Sequence, residues 1–288
     1  MGKKLRFFCV CLLFFGRLIA EIEEYNFAPD VCDPKTEKKI VICVPSYNNE
    51  KYYQKNLDSI FFQNYQNYRV IYVNDASTDD TYDLVKEYIE ERNLEDRIDV
   101  IDNPSNMGAM YNWIKMIHSC EDEEIIVSLD GDDYLAGKNV LSRINRAYQE
   151  DRVWVTYGQY KRLPNLIGHS KAWKIKDLEN GMHRNVEFQW SHLRTFYAGL
   201  FKKIPIESFK TKEQEFFPIA CDVAIMMNLI DIAPSHVFFI PDVLYVYNID
   251  TPLNDYKRFP GLQRELELEL QSKQRAPIVF DWKAPKVE

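Results

Sequence analysis

Short apolar runs alternate with longer amphipathic segments from residue 39 onward. The first apolar run, KIVICVPSY, is continuous, which is typical of a strand buried on both faces of a sheet. The segments between the runs place apolar residues at helical spacing, as Tyr53, Leu57 and Ile60 do in the first of them. Such alternation predicts a parallel sheet covered by helices. The four predicted strands are KIVICVPSY, YRVIYVND, RIDVIDN and EEIIVSLD.

Polar residues follow each of these predicted strands, where the chain turns toward the next helix. The carboxyl ends of parallel strands meet at one edge of the sheet, and ligands of such sheets bind there. Singly, each cluster suits a turn or a helix cap, as Ser77 and Thr78 do. Together and in order, the clusters favour a binding site. Its candidate substrate-binding residues are Pro45, Tyr47, Asn48, Asp75, Ser77, Asn106, Gly108, Asp130 and Asp133.

The fourth cluster crowds Asp130, Asp132 and Asp133 into one short turn. Their carboxylates repel one another unless a cation binds, and carboxylate oxygens are good ligands for Mg²⁺ and Mn²⁺. The sequence holds neither of two glycine-rich phosphate-binding motifs, GxxxxGK[ST] and GxGxxG. We therefore predict that Asp130 and Asp132 hold a divalent cation, Mn²⁺ or Mg²⁺, which binds the phosphates of a nucleotide diphosphate.

Four segments resemble, in order, the family 2 glycosyltransferases with the GT-A fold. They are VPSYNNEKYYQKNLDSIFFQNY, VNDASTDDT, NPSNMGAMYNWI and SLDGDDYL, and they lie within about residues 40–134. The resemblance implies an α/β fold of GT-A type, a mainly parallel sheet flanked by helices. It also implies that residues 45–48 and Asp75 cradle the base and ribose of a sugar-nucleotide donor, most often a uridine one. In the same way, Asp130 would approach the ribose or diphosphate, Asp132 would bind the metal, and transfer would proceed with inversion.

The second half of the chain is expected to supply the acceptor site and a base. WSHLRTFYAGLFKKI resembles the family's acceptor-side segment, where Trp190 would stack on a sugar face or else pack in the core. Asp222 begins the helix predicted in FFPIACDVAIMMNLIDIA, and an inverting transfer needs such a carboxylate as general base. A helix N-cap is the alternative role. The family usually has an acidic pair here, whereas this chain has Cys221 before Asp222.

Among His183, His192 and His236, which are possible additional metal ligands, we predict His236. It follows the helix that carries the predicted base and precedes the apolar run VFFIP. A lone histidine is more often a hydrogen-bonded structural residue than a metal ligand, and that is the alternative here.

Charge argues against one class of partner. The chain of 288 residues has a formal net charge of −8, and its first twenty residues hold four basic side chains but no acid. The remainder therefore has 32 basic against 44 acidic residues. Proteins that bind polyphosphate backbones usually present a basic face, so nucleic acid is not an expected partner.

The N-terminal stretch MGKKLRFFCVCLLFFGRLIA has a basic start, an apolar run and a small residue, Ala20, at its end. This pattern predicts a secretory signal peptide over residues 1–20, with a short membrane anchor or an ordinary hydrophobic segment as alternatives. The expected location is the lumen of the secretory pathway or a membrane to which the N-terminus attaches the protein. The alternative location is the cytoplasm.

One glycosyltransferase domain is predicted over residues 38–275, which is long enough to bury a large core. Its nucleotide-binding half covers residues 38–135, and its acceptor half covers residues 136–275. A linker at residues 21–37 precedes the domain, and a tail at residues 276–288 follows it.

The predicted reaction is a metal-assisted, inverting transfer from a nucleotide-diphospho-sugar, with UDP as the expected nucleotide, to a hydroxyl of a glycan, lipid or protein. Two alternatives stay open. A sugar-phosphate nucleotidyltransferase would release pyrophosphate instead. A catalytically silent protein that binds carbohydrate or nucleotide is favoured if Asp222 is buried and caps its helix.

Overall fold

The first four strands of the fold are parallel neighbours. The structure is a computed structural model, and it describes residues 36–162, 166–251, 255–280 and 282–284. β1 (Ile40–Ser46) pairs with β2 (Tyr68–Asn74) and β4 (Ile125–Ser128), and β2 pairs with β3 (Ile98–Asp102). Helices α1 (Tyr53–Phe61), α2 (Thr81–Arg92) and α3 (Ala109–His118) connect these strands in turn. The predicted alternation of strands and helices is confirmed.

The central strands lie between two layers of side chains, which explains their continuous apolar runs. Val41, Ile42 and Cys43 in β1 and Val70 in β2 have no solvent-exposed surface. Burying an aliphatic side chain of this size stabilises a fold by about 1.5–3 kcal/mol. A polar residue in the middle of these runs would lose that stabilisation, so the polar side chains collect where the strands end.

The other part of the sheet contains antiparallel pairs. β8 (Arg194–Tyr197) is antiparallel to β4 and to β6 (Val155–Arg162), whose end pairs with β7 (Leu166–Ile167). β9 (Val237–Tyr247) is parallel to β6 and antiparallel to β5 (Tyr134–Leu135). The strand order is β3-β2-β1-β4-β8-β6-β9-β5. Because β8 is antiparallel to β4, its first residue, Arg194, pairs with Ser128 at the carboxyl end of β4.

The remaining helices pack around this sheet. In α7 (Cys221–Ile232) every residue except Asp222 is buried. The segment ELELEL is helical and lies in α9 (Pro260–Ser272), with Leu266 and Leu270 turned into the core. The other helices are α4 (Val140–Tyr148), α5 (Ile175–Glu179), α6 (Ala198–Phe201) and α8 (Asp255–Arg258), and short 3-10 turns span Met182–Asn185, Ile206–Phe209 and Pro234–His236.

β9 continues through Pro241, although proline in a strand interior usually ends it because it lacks an N–H donor. The pairing of β9 with β6 is irregular at this point, since the register shifts between Gly158 and Gln159. Pro241 therefore lies where no regular ladder bond is needed. The result is an eleven-residue strand whose two ends lie in different regions of the molecule.

Residues near the C-terminus contact the domain. The backbone N–H of Val279 donates to the carbonyl of Ile232 at 2.9 Å. The ring of Trp282 lies 4.7 Å from that of Trp154 and 5.3 Å from that of Tyr197, measured between centroids. The described part of the predicted tail thus packs on the domain.

The predicted signal peptide and most of the predicted linker lie outside the described residues. Among the helices that the structure does describe, none combines the length and the apolar character needed to cross a membrane.

Candidate active site

A cleft of about 380 Å³ opens at the carboxyl ends of β1, β2 and β4. It extends to β8, to the start of α7 and to α9, so both halves of the domain form its walls. Most of the residues predicted from the sequence meet here. Those that line the cleft are Pro45, Tyr47, Asp75, Asn106, Gly108, Asp130, Asp132, Asp133 and Asp222.

Asp75 organises the loop that follows β3. Its carboxylate accepts hydrogen bonds from the backbone N–H groups of Met107 at 2.8 Å and Gly108 at 2.9 Å, and from the Asn103 amide at 2.8 Å. The Asn106 side chain donates to the backbone carbonyl of Asp75 at 3.3 Å. Gly108 has a φ of 83°, a conformation that glycine adopts without a steric penalty. Asp75 therefore fixes the shape of this wall of the cleft.

Asn48 and Ser77 lie behind the cleft wall rather than on it. The backbone N–H of Asn48 donates to the Ser77 hydroxyl at 3.0 Å, and the Asn48 side chain accepts from the N–H of Thr78 at 2.7 Å. These bonds tie the loop after β1 to the loop after β2. The cap role considered for Ser77 is wrong, because α2 begins at Thr81 with Asp80 at its N-cap position.

The backbone of the acidic turn, residues 130–133, is fixed by a buried asparagine. The Asn56 amide donates to the carbonyls of Asp130 at 3.0 Å and Asp133 at 2.8 Å. A Cβ atom on Gly131 would lie 2.7 Å from the side-chain nitrogen of Asn49, so glycine is required for this close approach. Contacts within the protein therefore hold the backbone of the turn in place.

The carboxyl group of Asp133 is held by the protein itself. It accepts hydrogen bonds from the Tyr245 hydroxyl at 2.5 Å and from the backbone N–H of Asn248 at 2.6 Å, and Asp133 is 1% exposed. Burial, followed by the charges of Asp132 and Asp130, raises the pKa of Asp133 well above its ordinary value. Asp133 thus belongs to the support of the turn, although it also contributes to the cleft wall.

Asp130 is a second hydrogen-bond partner of the Tyr245 hydroxyl. The Tyr245 hydroxyl lies 3.2 Å from a carboxylate oxygen of Asp130. Burial raises the pKa of Asp130, the positive charge of Arg194 opposes that rise, and the charge of Asp222 adds to it. Two carboxyl groups from opposite walls of the cleft therefore influence each other, with a guanidinium close to both.

Asp222 lies at the second position of α7, and the helix N-cap is Ala220 with a φ of 57°. The N-cap role considered for Asp222 is therefore wrong. Its side chain is 33% exposed, and one carboxylate oxygen lies 3.2 Å from the Arg194 guanidinium. Asp222 combines a charge, access to the cleft and a fixed neighbour.

Two predicted site residues lie elsewhere. Trp190 has no exposed surface and packs against Trp173 and Phe188, with ring centroids 5.2 and 5.9 Å away, so it is a core residue and presents no face to a sugar. His236 stacks on Trp154, and its Nδ1 donates to the Arg152 carbonyl at 2.9 Å. His236 precedes β9, and the opposite end of β9 reaches the cleft. At ~3.3 Å per residue, the length of this strand separates His236 from the cleft by roughly 30 Å. His236 is not a metal ligand of this site.

Sequence reasoning missed several residues that line the cleft. Arg194 comes from the start of β8, Tyr247 from the end of β9, and Arg258 and Gln263 from the C-terminal helices, whereas His192, which also lines the cleft, was among the histidines considered from the sequence. One signal was present: Arg194 interrupts the apolar character of its segment. The sequence could not show that β8 lies beside β4, which is what brings Arg194 to the acidic turn.

Asp130 and Asp132 are the carboxylates that could hold a cation. Within the described ranges no group of three or more His, Cys, Asp or Glu side chains is arranged around a common metal position. Two carboxylates still fit Mg²⁺ or Mn²⁺, because Mg²⁺ is usually bound by one or two carboxylates while substrate phosphates and water complete the shell. The protein alone offers a partial site that a diphosphate would complete.

Comparison with known families gives a match over most of the domain. The model of the family described as Glycosyl transferase family 2 matches residues 41–209. The chain is 26% identical over 219 residues to the glycosyltransferase GlyG of Streptococcus pneumoniae, and the aligned segment covers 72% of this chain and 70% of that protein. It is 32% identical over 129 residues to the poly(ribitol-phosphate) beta-glucosyltransferase of Bacillus spizizenii, and here the aligned segment covers 43% of this chain and 19% of that protein.

Other relatives match over a smaller part of their length. An uncharacterized glycosyltransferase of Mycoplasma pneumoniae is 30% identical over 115 residues, and the chain spans 37% of it.

Solved structures with a similar fold include two proteins in complex with a sugar nucleotide. The mannosyltransferase PcManGT from Pyrobaculum calidifontis, in complex with GDP-Man and Mn²⁺, has a TM-score of 0.58 at 19% identity, covering 94% of this chain and 74% of that chain. TarS of S. aureus, in complex with UDP-GlcNAc, has a TM-score of 0.53 at 20% identity, covering 74% of this chain and 59% of that chain. At these identities the likeness shows the fold, which is of GT-A type as expected.

Proposed function

The chain belongs to glycosyl transferase family 2, and from this premise we propose that it transfers a hexose from a nucleotide-diphospho-sugar to an acceptor hydroxyl with inversion. The observation that carries the proposal is the position of Asp222. It is the one residue of α7 that is not buried, and it lines the same cleft as Asp130 and Asp132. A base on one wall and paired carboxylates on the other suit a displacement reaction in the space between them.

Asp222 acts as the general base in this proposal. It takes the proton of the acceptor hydroxyl as the hydroxyl oxygen bonds to the anomeric carbon of the donor. The bond from that carbon to the diphosphate oxygen breaks, and the nucleoside diphosphate leaves with the electron pair. A single displacement inverts the anomeric configuration, so no covalent bond between sugar and enzyme is needed.

Asp130 and Asp132 would hold a divalent cation, Mn²⁺ or Mg²⁺. When bound, such an ion stabilises the negative charge of a departing diphosphate. Two observations support this assignment. Both carboxylates line the cleft, and the sequence contains neither of the two glycine-rich phosphate-binding motifs. The presence of Mn²⁺ in the PcManGT complex agrees with it.

UDP is the nucleotide that we propose for the donor. One structural neighbour was solved with UDP-GlcNAc and another with GDP-Man, so the fold accommodates either nucleotide. The walls that would meet the base and ribose are formed by the loops after β1 and β2, including Pro45, Tyr47 and Asp75. The acceptor is proposed to be a hydroxyl of a glycan, a lipid or a protein.

The experiment that tests this function is a donor panel. The purified chain is incubated with UDP- and GDP-linked hexoses in Mn²⁺, Mg²⁺ or EDTA, and release of the nucleoside diphosphate is measured with and without mixed acceptors. We expect metal-dependent release of UDP that is lost in Asp222→Asn. Glu213→Gln is the matched control, because Glu213 is an exposed carboxylate that does not line the cleft.

Two outcomes would contradict the proposal. Release of pyrophosphate from a nucleoside triphosphate and a sugar phosphate would identify a nucleotidyltransferase. Tight binding of a sugar nucleotide without release of the diphosphate, under all conditions, would identify a silent binding protein.

The location is a separate proposal that rests on the N-terminal sequence. We propose delivery into the secretory pathway or attachment to a membrane through residues 1–20. Fusing residues 1–25 to a reporter tests it, and an uncleaved cytosolic reporter would overturn it.

A further inference from the structure

Arg194 is a charged side chain in the cleft wall with no role in the reaction described so far. It is 5% exposed and lies at the start of β8, beside the last residue of β4. A buried guanidinium is costly unless hydrogen bonds and an opposite charge compensate for its lost hydration. Its partners therefore indicate what it does.

The partners of Arg194 come from two sides. One terminal nitrogen of the guanidinium lies 2.9 Å from the ring nitrogens of His192 and 3.2 Å from a carboxylate oxygen of Asp222. Over the described ranges, Asp222 is the carboxylate within ion-pair distance of Arg194. The buried Nε of Arg194 has no hydrogen-bond partner among the described residues.

His192 holds the guanidinium independently of Asp222. Burial, together with the charge of Arg194, lowers the pKa of His192 well below its ordinary value, so the ring is neutral and one nitrogen accepts a hydrogen bond. The His192 ring stacks on Tyr245 with centroids 4.2 Å apart, and Tyr160 packs against its edge at 5.6 Å. Arg194 is therefore placed by the core of the domain and does not simply follow Asp222.

Asp222 itself has little else to fix it. It lies in the first turn of α7, its side chain is one-third exposed, and among the described residues its ion-pair partner is Arg194. A partly exposed carboxylate on a helix samples several rotamers unless a partner selects one. A base must lie within hydrogen-bond reach of the proton that it takes, so this freedom would reduce turnover.

We propose that Arg194 is a positioning residue, which selects the rotamer of Asp222 that faces the acceptor hydroxyl. This inference rests on the proposed function, because it assigns Arg194 a role through the base. It also links the two walls of the cleft, since the Tyr245 ring that supports His192 carries the hydroxyl that contacts Asp130 and Asp133.

A double-mutant cycle tests the proposal. Arg194→Gln should lower kcat by about 10- to 100-fold and leave the donor Kd within about threefold, because the lost interaction is with the base. In the Asp222→Asn background the same substitution should change kcat by less than about threefold, since no base remains to be positioned. Arg194→Lys keeps the charge and should recover part of the loss. Arg143→Gln, which removes a cation paired with Asp242 outside the cleft, should leave kcat unchanged.

Equal losses in both backgrounds, or a donor Kd that weakens in parallel with kcat, would overturn the proposal. The first result would mean a structural role, and the second a direct contact with the donor. If Arg194→Gln does not fold, the cycle is run with Arg194→Lys.

A crystal structure of the Arg194→Gln protein gives a readout that does not need turnover. The Asp222 carboxylate should leave its place beside residue 194 or occupy several rotamers, and an unmoved, well-ordered carboxylate would overturn the proposal. Failure of the glycosyltransferase function is seen separately, as absence of diphosphate release by the wild-type chain across the donor panel.

Discussion

The two walls of the cleft are held in place by different kinds of contact. On the proposed nucleotide-binding side, backbone N–H groups take part in holding the acids, as when those of Met107 and Gly108 donate to Asp75 and that of Asn248 donates to Asp133. On the acceptor side, one side chain fixes another, as Arg194 does with Asp222. Backbone donors remain when a side chain is replaced, whereas a pair of side chains loses its geometry with either member. We therefore expect the first wall to respond to changes of backbone fit and the second to changes of single side chains.

Two aspartates of α7 also differ in how they are held, although they lie in one helix. Asp222 faces the cleft, whereas Asp231 is fully buried and accepts hydrogen bonds from His183 at 2.9 Å, from Arg184 at 3.0 Å and from Arg275 at 3.1 Å. An aspartate with this many internal partners has no access to a substrate. Asp231 therefore supports the domain, and Asp222 is the one available for chemistry.

Replacing Asp222 with Asn should have the largest effect on activity. The amide keeps the shape of the side chain but cannot take a proton, so turnover should fall by about 10²- to 10⁴-fold. Donor affinity should stay close to wild type, because Asp222 is not a residue of the nucleotide-binding wall. The melting temperature should fall, but by less than in Asp231→Asn, because Arg194 loses a counter-charge that is one-third exposed and keeps its contact with His192. Turnover numbers, donor Kd from calorimetry and the melting temperature separate these effects. Wild-type turnover in a well-folded variant would remove Asp222 from the mechanism.

Replacing Asp231 with Asn should have the reverse effect, a loss of stability with little change in kcat. It leaves the guanidinium groups of Arg184 and Arg275 without their buried counter-charge, which costs about 3–5 kcal/mol of unfolding free energy. Urea denaturation measures this loss, and kcat at a temperature where the variant is folded should change little. Asp242→Asn is the control, because its ion pair with Arg143 is partly exposed and should contribute no more than about 1 kcal/mol. Equal stability of the two variants would contradict the comparison.

The buried cluster around Asp231 also predicts a pH dependence. Burial raises the pKa of Asp231, but hydrogen bonds from His183 and Arg184 outweigh it and leave the pKa below its ordinary value. A lowered folded-state pKa means that the carboxylate contributes stability above its unfolded pKa of about 3.9, and that this contribution is lost as the pH falls through the folded value. Urea midpoints between pH 5 and pH 2 should therefore fall less in Asp231→Asn than in the wild type.

The parallel half of the fold could be predicted from sequence because its information is local. Each buried strand is a continuous apolar run, and each run ends in a polar cluster, so the position of Asp75 and Asp130 at one edge follows from the rule for parallel sheets. The antiparallel half depends on contacts between distant residues, such as Tyr245 with Asp130, which are 115 positions apart. No short pattern records such a pairing.

Trp190 and His236 show why the second half was harder to predict. An aromatic residue has the same appearance in a sequence whether it packs in the core or lines a cleft, and Trp190 packs in the core. The position of His236 depended on the length of β9, which runs on through Pro241 and carries Tyr247, not His236, to the cleft. Asp222 was found because a single acid at the start of an apolar helix is conspicuous in the sequence.

Replacing Asp132 with Asn should weaken the response of donor binding to metal. The substitution removes one carboxylate from the acidic turn and keeps its size, so the Kd for a sugar nucleotide in Mn²⁺ should rise by about 10- to 100-fold. The backbone of the turn should keep its shape, since the Asn56 amide holds it through the carbonyls of Asp130 and Asp133. Calorimetry with Mn²⁺ and with EDTA measures the effect. An unchanged ratio of the two affinities would exclude Asp132 as a metal ligand.

The smallest predicted effect concerns the fit of the backbone at Gly131. An added methyl group would lie 2.7 to 2.8 Å from the side chains of Asn49 and Ser46. These neighbours cannot move away easily, because both are buried, Asn49 donates to the Ser46 hydroxyl at 3.0 Å, and Tyr72 donates to the same hydroxyl at 2.7 Å. Gly131→Ala should therefore destabilise the protein by about 1–2 kcal/mol through overpacking. Chemical denaturation of the variant measures this value.

The matched control is Gly261, which lies in α9 and has nothing within 4 Å of an added Cβ. Gly261→Ala should stabilise the protein by up to about 1 kcal/mol, because alanine reduces the freedom of the unfolded chain at a position that tolerates it. The opposite signs of the two glycine variants would show that the nucleotide-binding wall depends on close backbone packing. If Gly131→Ala were as stable as Gly261→Ala, close backbone packing would not hold the acidic turn, and the contrast with the Arg194 and Asp222 pair would not stand.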